Sequence, residues 1–472
     1  MSTTSRTRHA LLAAALLAIP VPGLAQTTTA GTAAVADRLE REVEKILAET
    51  GIPAISIALV RDGDVAWTGA WGLANVGGGT KATTDTYFST GSTFKFVTAT
   101  AVMQLVEKGL LELDAPLNTL VDRTLRVEGA DDVTIRHMLS HHSGLEGPVG
   151  TVPLWSRVAP RTPTQLLEGT RRTGPPGQTF RYCNECYGIM ALIIEKLSGQ
   201  PYDAYVAEHI LQPLGIDIAT PSVPSPPVVE RMALPYNLGD NKPVPIPQVR
   251  YDVFSAGDIY LRAEDMARFL AAQLNGGVFR GTRILSEASV VEMRRQQFDD
   301  NPYGLGTAIV EADGHTFVEH GGAIPGFNSF SIGEPASRSG VYVMSNSGQS
   351  ARAIQPLAGL AMRLMRGENP DPLPSFATEE RVEVEIDPAI FDQYVGEYEL
   401  NPSFVITVTR EGGRFFVQAT NQPRFEIFAS SETDFFLRAV EASITFGRDD
   451  PDGPVTHMIL HQGGDQRLAR RR

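Results

Sequence analysis

The chain has 472 residues, 42% of them hydrophobic and 20% charged, with a formal net charge of −14 at pH 7. That length allows one large catalytic unit plus a smaller one, and the composition allows a sizeable core. The acidic balance argues against a nucleic-acid binder, which normally presents a basic face, and it leaves the charge of any cleft open.

Residues 1–25 read as a signal peptide. Arg6 and Arg8 give a basic start, 10–21 is an apolar run too short to span a bilayer comfortably, and Gly23-Leu24-Ala25 offers small residues for cleavage before Gln26. The expectation is a periplasmic or secreted protein with no membrane span once that segment is removed. Residues 33–50 carry Val35, Leu39, Val43 and Leu47 on one helical stripe, stopped by Gly51-Ile52-Pro53. Segments 54–60 and 64–69 read as strands turned by Arg61-Asp62-Gly63. A helical middle follows at 92–109, 134–141, 185–198 and 201–211, and 222–227 and 242–247 read as proline-rich loops. Helix returns at 263–275, and strand signals return at 307–310, 316–319, 328–332 and 340–345. Strands from both ends with helices between them predict an α+β or mixed three-layer domain. The proline-rich stretch 366–374 suits a linker. Beyond it, short alternating pieces between 404 and 461 predict a small antiparallel barrel or sandwich, with no cluster of catalytic residue types.

Only two cysteines occur, Cys183 and Cys186. They are too few for a disulfide framework. One short disulfide, two free thiols, a redox dithiol or half of a zinc site remain open, zinc needing further ligands such as the HxxxH pair His137 and His141.

Three short motifs carry chemistry. A serine hydroxyl is a poor nucleophile until a base takes its proton. In Ser92-Thr93-Phe94-Lys95 the serine and lysine lie on one helical face, at a helix N-terminus that favours developing negative charge. Lys95 can act as base if burial lowers its pKa. Tyr182 and Asn184, two apart in an extended piece, face the same way. His320-Gly321-Gly322 ends a strand; the glycines admit a close substrate, and the histidine, titrating near neutrality, supplies a donor or positive charge.

In this order, SxxK, YxN and HxG resemble the class C β-lactamase and DD-peptidase-like serine hydrolases. The stretches 134–145, 263–270 and 319–328 resemble that family too. The resemblance implies a β-lactamase/transpeptidase-like antiparallel sheet with a helical domain over 33–365, a linker at 366–385, and a small antiparallel β-barrel, lipocalin-like domain at 386–472, opened by Tyr394-Val395-Gly396-Glu397-Tyr398. It implies Ser92 as nucleophile, with Lys95 and Tyr182 sharing general base and acid work. Asn184 orients a substrate amide or ester, and His320 lines the pocket opposite Ser92. Beside Gly322, the amides of Ser92 and Ala323 form an oxyanion hole. It leaves His137, His141 and His142 structural and implies no metal or organic cofactor. Class C β-lactamases carry Lys-Thr-Gly at the third motif; His there resembles DD-carboxypeptidases, D-aminopeptidases and some esterases. The expected activity is acyl transfer to water from small peptides, amides or esters. The alternatives are a carboxylesterase or weak β-lactamase, and a penicillin-binding sensor that acylates without turnover. The oligomeric state is left open.

Overall fold

The computed structural model describes residues 30–218, 223–239, 241–377, 383–401, 404–420, 424–438, 442–450, 453–462 and 465–472. The expected signal segment 1–25 and Ser222 lie outside these residues. No helix among the described residues is long and apolar enough to cross a membrane.

The first domain is built on a seven-stranded antiparallel sheet. Its strands are β1 (Ala54–Arg61), β2 (Asp64–Asn75), β3 (Thr80–Lys81), β4 (Ala308–Ala312), β5 (His315–Ile324), β6 (Phe327–Glu334) and β7 (Ser339–Ser345), in the order β4-β5-β6-β7-β1-β2-β3. β1 is a nearly unbroken apolar run, Ala-Ile-Ser-Ile-Ala-Leu-Val, because both of its faces are covered. It pairs with β7 in a register that sets Ile57 opposite Val343. Ile55, Ile57 and Leu59 face one layer of helix, formed by α1 (Ala30–Thr50) and a helix at Ala351–Met365. Ala54, Ala58 and Val60 face the other layer, which holds the helical insert. This confirms the antiparallel sheet with a helical domain.

Two helices of the insert matter for chemistry: α2 (Lys95–Glu107) and α3 (Asn184–Ser198). α2 is buried from Lys95 to Leu105 and runs through the middle of the domain. A helix buried on every side has no solvent face, so its position is fixed by packing all round.

Several expectations need correction. The helix expected at 92–109 opens with a single 3₁₀ turn, Gly91–Phe94. The strand expected to stop before His320 continues to Ile324, so the glycines lie within β5, paired to β6. The expected loop at 242–247 contains a strand, Lys242–Pro245, paired with Tyr236–Gly239; its prolines sit in a two-stranded ribbon, where edges tolerate them. The helix Ala351–Met365 has no sequence expectation, because Pro356 interrupts it. It forms because Ile354, Leu357, Ala358, Ala361 and Met362 make a stripe buried on the sheet.

The tail is a closed eight-stranded antiparallel barrel running from Gly396 to Arg471. Its interior is filled by rings: Phe391 stacks on Phe415 at 3.9 Å, and Tyr394 on Phe446 at 4.3 Å. The Tyr398 hydroxyl donates to the Tyr394 carbonyl at 2.8 Å, so both tyrosines of the opening motif are core residues. An eight-stranded barrel is just wide enough to be filled this way.

The first part of the linker is docked. Lys45 Nζ donates to the Leu373 carbonyl at 2.8 Å, the Phe376 amide donates to Glu49 at 2.8 Å, and the Phe376 ring joins the core beside α1. Phe376→Ala is expected to destabilise the first domain by roughly 3 kcal/mol. A chain ending at Ala377 is expected to melt higher than one ending at Met365. Equal melting temperatures by circular dichroism would show that the docked segment adds nothing.

Candidate active site

The 3₁₀ turn that carries Ser92 is held from two sides. Gly91 has φ of +53°, and a β-carbon there would fall 2.8 Å from the Ala323 amide nitrogen. A β-carbon on Gly322 would fall 2.4 Å from the Thr90 carbonyl and 3.1 Å from the Ser92 nitrogen. Both positions require glycine, and β5 thereby lies directly against the turn. From the sheet, Ser329 Oγ donates to the Thr90 carbonyl, and Thr93 Oγ1 meets the Tyr342 hydroxyl at 2.5 Å. From the opposite loop, the Ile259 carbonyl accepts from Thr90 Oγ1 at 3.0 Å. Ser92 is left partly exposed while its neighbours Gly91 and Thr93 are buried.

Lys95 begins α2 and is completely buried. Its Nζ lies 3.0 Å from Ser92 Oγ, 2.7 Å from Asn184 Oδ1 and 2.9 Å from the Ala256 carbonyl. Burial drives its pKa well below the ordinary lysine range, and the nearby Glu185 carboxyl opposes that shift. A neutral amine in this setting donates two protons, to Asn184 and Ala256, and turns its lone pair to the Ser92 hydroxyl. The arrangement is that of a serine paired with a base.

Tyr182 ends the segment before α3. Its ring is 43% exposed, and Lys95 Nζ lies 4.9 Å from the ring centroid. Burial raises the pKa of its hydroxyl, with the Ser92 side chain opposing that shift, so it keeps its proton. Tyr182 and Asn184 do not share an extended segment as expected. Cys183 is the N-cap of α3 and Asn184 its first residue, so the two side chains reach Ser92 and Lys95 from either side of the cap.

His320 differs from expectation in its charge, and it is buried. Its Nδ1–H donates to the Gly321 carbonyl at 2.7 Å, and Nε2 has no hydrogen-bond partner among the described residues. Burial, reinforced by the Lys95 charge, pushes its pKa down to about 3. The ring is therefore neutral near pH 7 and supplies a lone pair, with no positive charge.

The sequence did not single out Glu185, the Ala256 carbonyl or Tyr303, and it read His141 as structural. His141 stands at φ of +65°, rare for a residue other than glycine. Its ring stacks on Tyr182 at 4.2 Å, and its Nδ1 accepts the Cys183 amide proton at 3.0 Å. His137 and His142 go elsewhere: His137 Nδ1 meets Thr134 Oγ1 at 2.9 Å, and His142 Nε2 meets Asp300 at 2.7 Å. The three histidines do not converge.

Because Glu185 supports the ammonium form of Lys95, Glu185→Gln is expected to lower the Lys95 pKa further. Gln keeps an acceptor for the Gly147 amide, which Glu185 binds at 2.9 Å. The acid limb of the kcat/KM profile for an activated ester should move to lower pH; a shift upward would contradict the electrostatic assignment.

A family model described as Beta-lactamase matches residues 39–361, and one described as a domain of unknown function (DUF3471) matches 380–470. A penicillin-binding protein of Bacillus subtilis (strain 168) is 26% identical over 436 residues, covering 88% of this chain and 94% of its own length. Penicillin-binding protein 4 of Amycolatopsis lactamdurans is 30% identical over 328 residues, covering 66% of this chain and 84% of its own. Among solved structures, the octameric penicillin-binding protein homologue from Pyrococcus abyssi is similar in fold, with a TM-score of 0.60 at 24% identity, over 92% of this chain and 100% of that one. With the match over most of its first domain and a serine–lysine pair at the head of α2, the chain belongs to the Beta-lactamase family of serine hydrolases.

Proposed function

We propose that this protein hydrolyses small peptide, amide or ester substrates through an acyl-enzyme on Ser92, as an exported enzyme. The observation that carries the reading is the buried Lys95 amine, 3.0 Å from Ser92 Oγ with its other contacts filled by Asn184 and Ala256.

The steps follow from the groups present. Ser92 Oγ attacks the substrate carbonyl while its proton passes to Lys95 Nζ. The carbonyl oxygen becomes an oxyanion beside the amides of Ser92 and Ala323, at the head of α2. Tyr182, held neutral by its raised pKa, gives its proton to the departing amine or alkoxide and regains one from Lys95. Water then attacks the ester, its proton returning along the same groups, and Ser92 leaves. Asn184 holds the Lys95 amine and reaches the substrate side of the cleft. The penicillin-binding relatives support a substrate with a peptide-like amide, of the DD-peptidase or D-aminopeptidase kind.

A neutral His320 lacks the fixed cation that grips a β-lactam carboxylate, so turnover of β-lactams is expected to be poor. Ser92→Ala is expected to abolish labelling by a fluorophosphonate or a fluorescent penicillin. Lys95→Ala and Tyr182→Phe should each lose much of the acylation rate, and the double variant less than the two losses combined. Wild-type kcat/KM should be higher for a p-nitrophenyl ester or a D-aminoacyl amide than for nitrocefin. Nitrocefin as the best of the three would make the protein a β-lactamase.

A further inference from the structure

The cysteine pair is bridged, and its position is unusual for a structural disulfide. Cys183 lies between Tyr182 and Asn184, and it is joined to Cys186 within the first turn of α3. A bridge that spans so few residues closes a very small loop, so it takes little entropy from the unfolded chain and is a weak device for global stability. Its local effect is stronger. It constrains the backbone of the cap and first turn, and residues on the two sides of Cys183 each hold one member of the reacting pair. The Tyr182 ring centroid lies 4.9 Å from Lys95 Nζ, its hydroxyl interacts electrostatically with Ser92, and Asn184 Oδ1 lies 2.7 Å from Lys95 Nζ.

The bridge is also tied to the loop that contains His141. The Cys183 amide donates to His141 Nδ1 at 3.0 Å, Cys186 Sγ lies 3.2 Å from Ser143 Oγ, and Ser143 Oγ accepts the Leu145 amide at 3.1 Å. Both cysteines are buried, at 1% and 0% exposure. His141 stacks on the Tyr182 ring from below and is itself held in a left-handed conformation. Such a conformation persists only where the surroundings over-determine it.

We propose that the Cys183–Cys186 disulfide, together with His141, is a positioning element for the reaction at Ser92, keeping Tyr182 and Asn184 in register with Ser92 and Lys95. This rests on the reading of Ser92 as nucleophile. Neither sulfur touches substrate. Loss of the bridge frees the cap, the tyrosine hydroxyl and the asparagine oxygen drift from their partners, and water reaches the amine whose low pKa depends on burial. A displacement of about 1 Å in such a group costs on the order of 100-fold in rate.

The test compares wild type, Cys183→Ala/Cys186→Ala, Cys183→Ser/Cys186→Ser and Ser92→Ala with a p-nitrophenyl ester, each confirmed as folded by circular dichroism. Either double variant, whichever folds, is expected to lose tenfold or more in kcat with KM changed less than threefold. The acid limb of its kcat/KM profile should move to higher pH, toward the ordinary lysine range. A merely structural bridge would lower the melting temperature and leave both the limb and kcat in place, and that result overturns the proposal. His141→Ala should reproduce the kcat loss with the disulfide intact; an unchanged kcat there removes His141 from the element. If Ser92→Ala keeps its activity, the nucleophile assignment fails first, whatever the cysteine variants do.

Discussion

An amine taken entirely out of water must find partners for all of its nitrogen's bonding capacity or give up its charge. Lys95 does both: its nitrogen has Ser92, Asn184 and Ala256 around it, and its proton affinity is depressed by burial. Each neighbouring feature is a condition for that state. The buried α2 sets the lysine in the interior of the domain. The cap of α3 delivers Asn184, the 3₁₀ turn at Phe254–Ala256 delivers a carbonyl, and the close approach of β5 fixes the turn ahead of Ser92. Tyr182 closes the last side and stays partly exposed to solvent.

The same burial decides the character of the third motif. His320 and Lys95 share one low-dielectric region, and two cations cannot occupy it together. With Nδ1–H committed to the Gly321 carbonyl, the histidine contributes a lone pair and shape. The third motif therefore places no fixed cation beside Ser92 and Lys95.

Much of this was legible in the sequence because it is local. Ser92 and Lys95 are one turn apart, the apolar run 54–60 reads as a strand, and the tail's alternation reads as a small antiparallel barrel or sandwich, of which the structure forms the barrel. The rest depends on contacts distant in sequence. The Ala256 carbonyl has no side-chain signature, and its partner is 161 residues away. His141 sits in a histidine-rich stretch that reads equally well as structural, and its stack on Tyr182 and its bond from the Cys183 amide separate it from His137 and His142. The charge state of His320 depends on what surrounds it, which a motif cannot reveal. Pro356 hides a helix whose apolar stripe only the sheet can complete, and the two glycines of β5 hide the continuation of a strand.

The position of β1 between β2 and β7 governs how the domain can be assembled. β1 and β2 are made early and form a hairpin at once, while β7 is made last of the sheet strands. Until then one edge of an unusually apolar strand has its amides and carbonyls unpaired, a template for any other extended segment nearby. The central pairing closes a loop of most of the domain, so its entropy must be lost before the contact is gained, and such topologies fold slowly. The nascent chain therefore carries a sticky, half-finished sheet for as long as the helical insert takes to emerge. In the finished domain the same strand is buried along its length up to Arg61, so the hazard lasts only until β7 arrives.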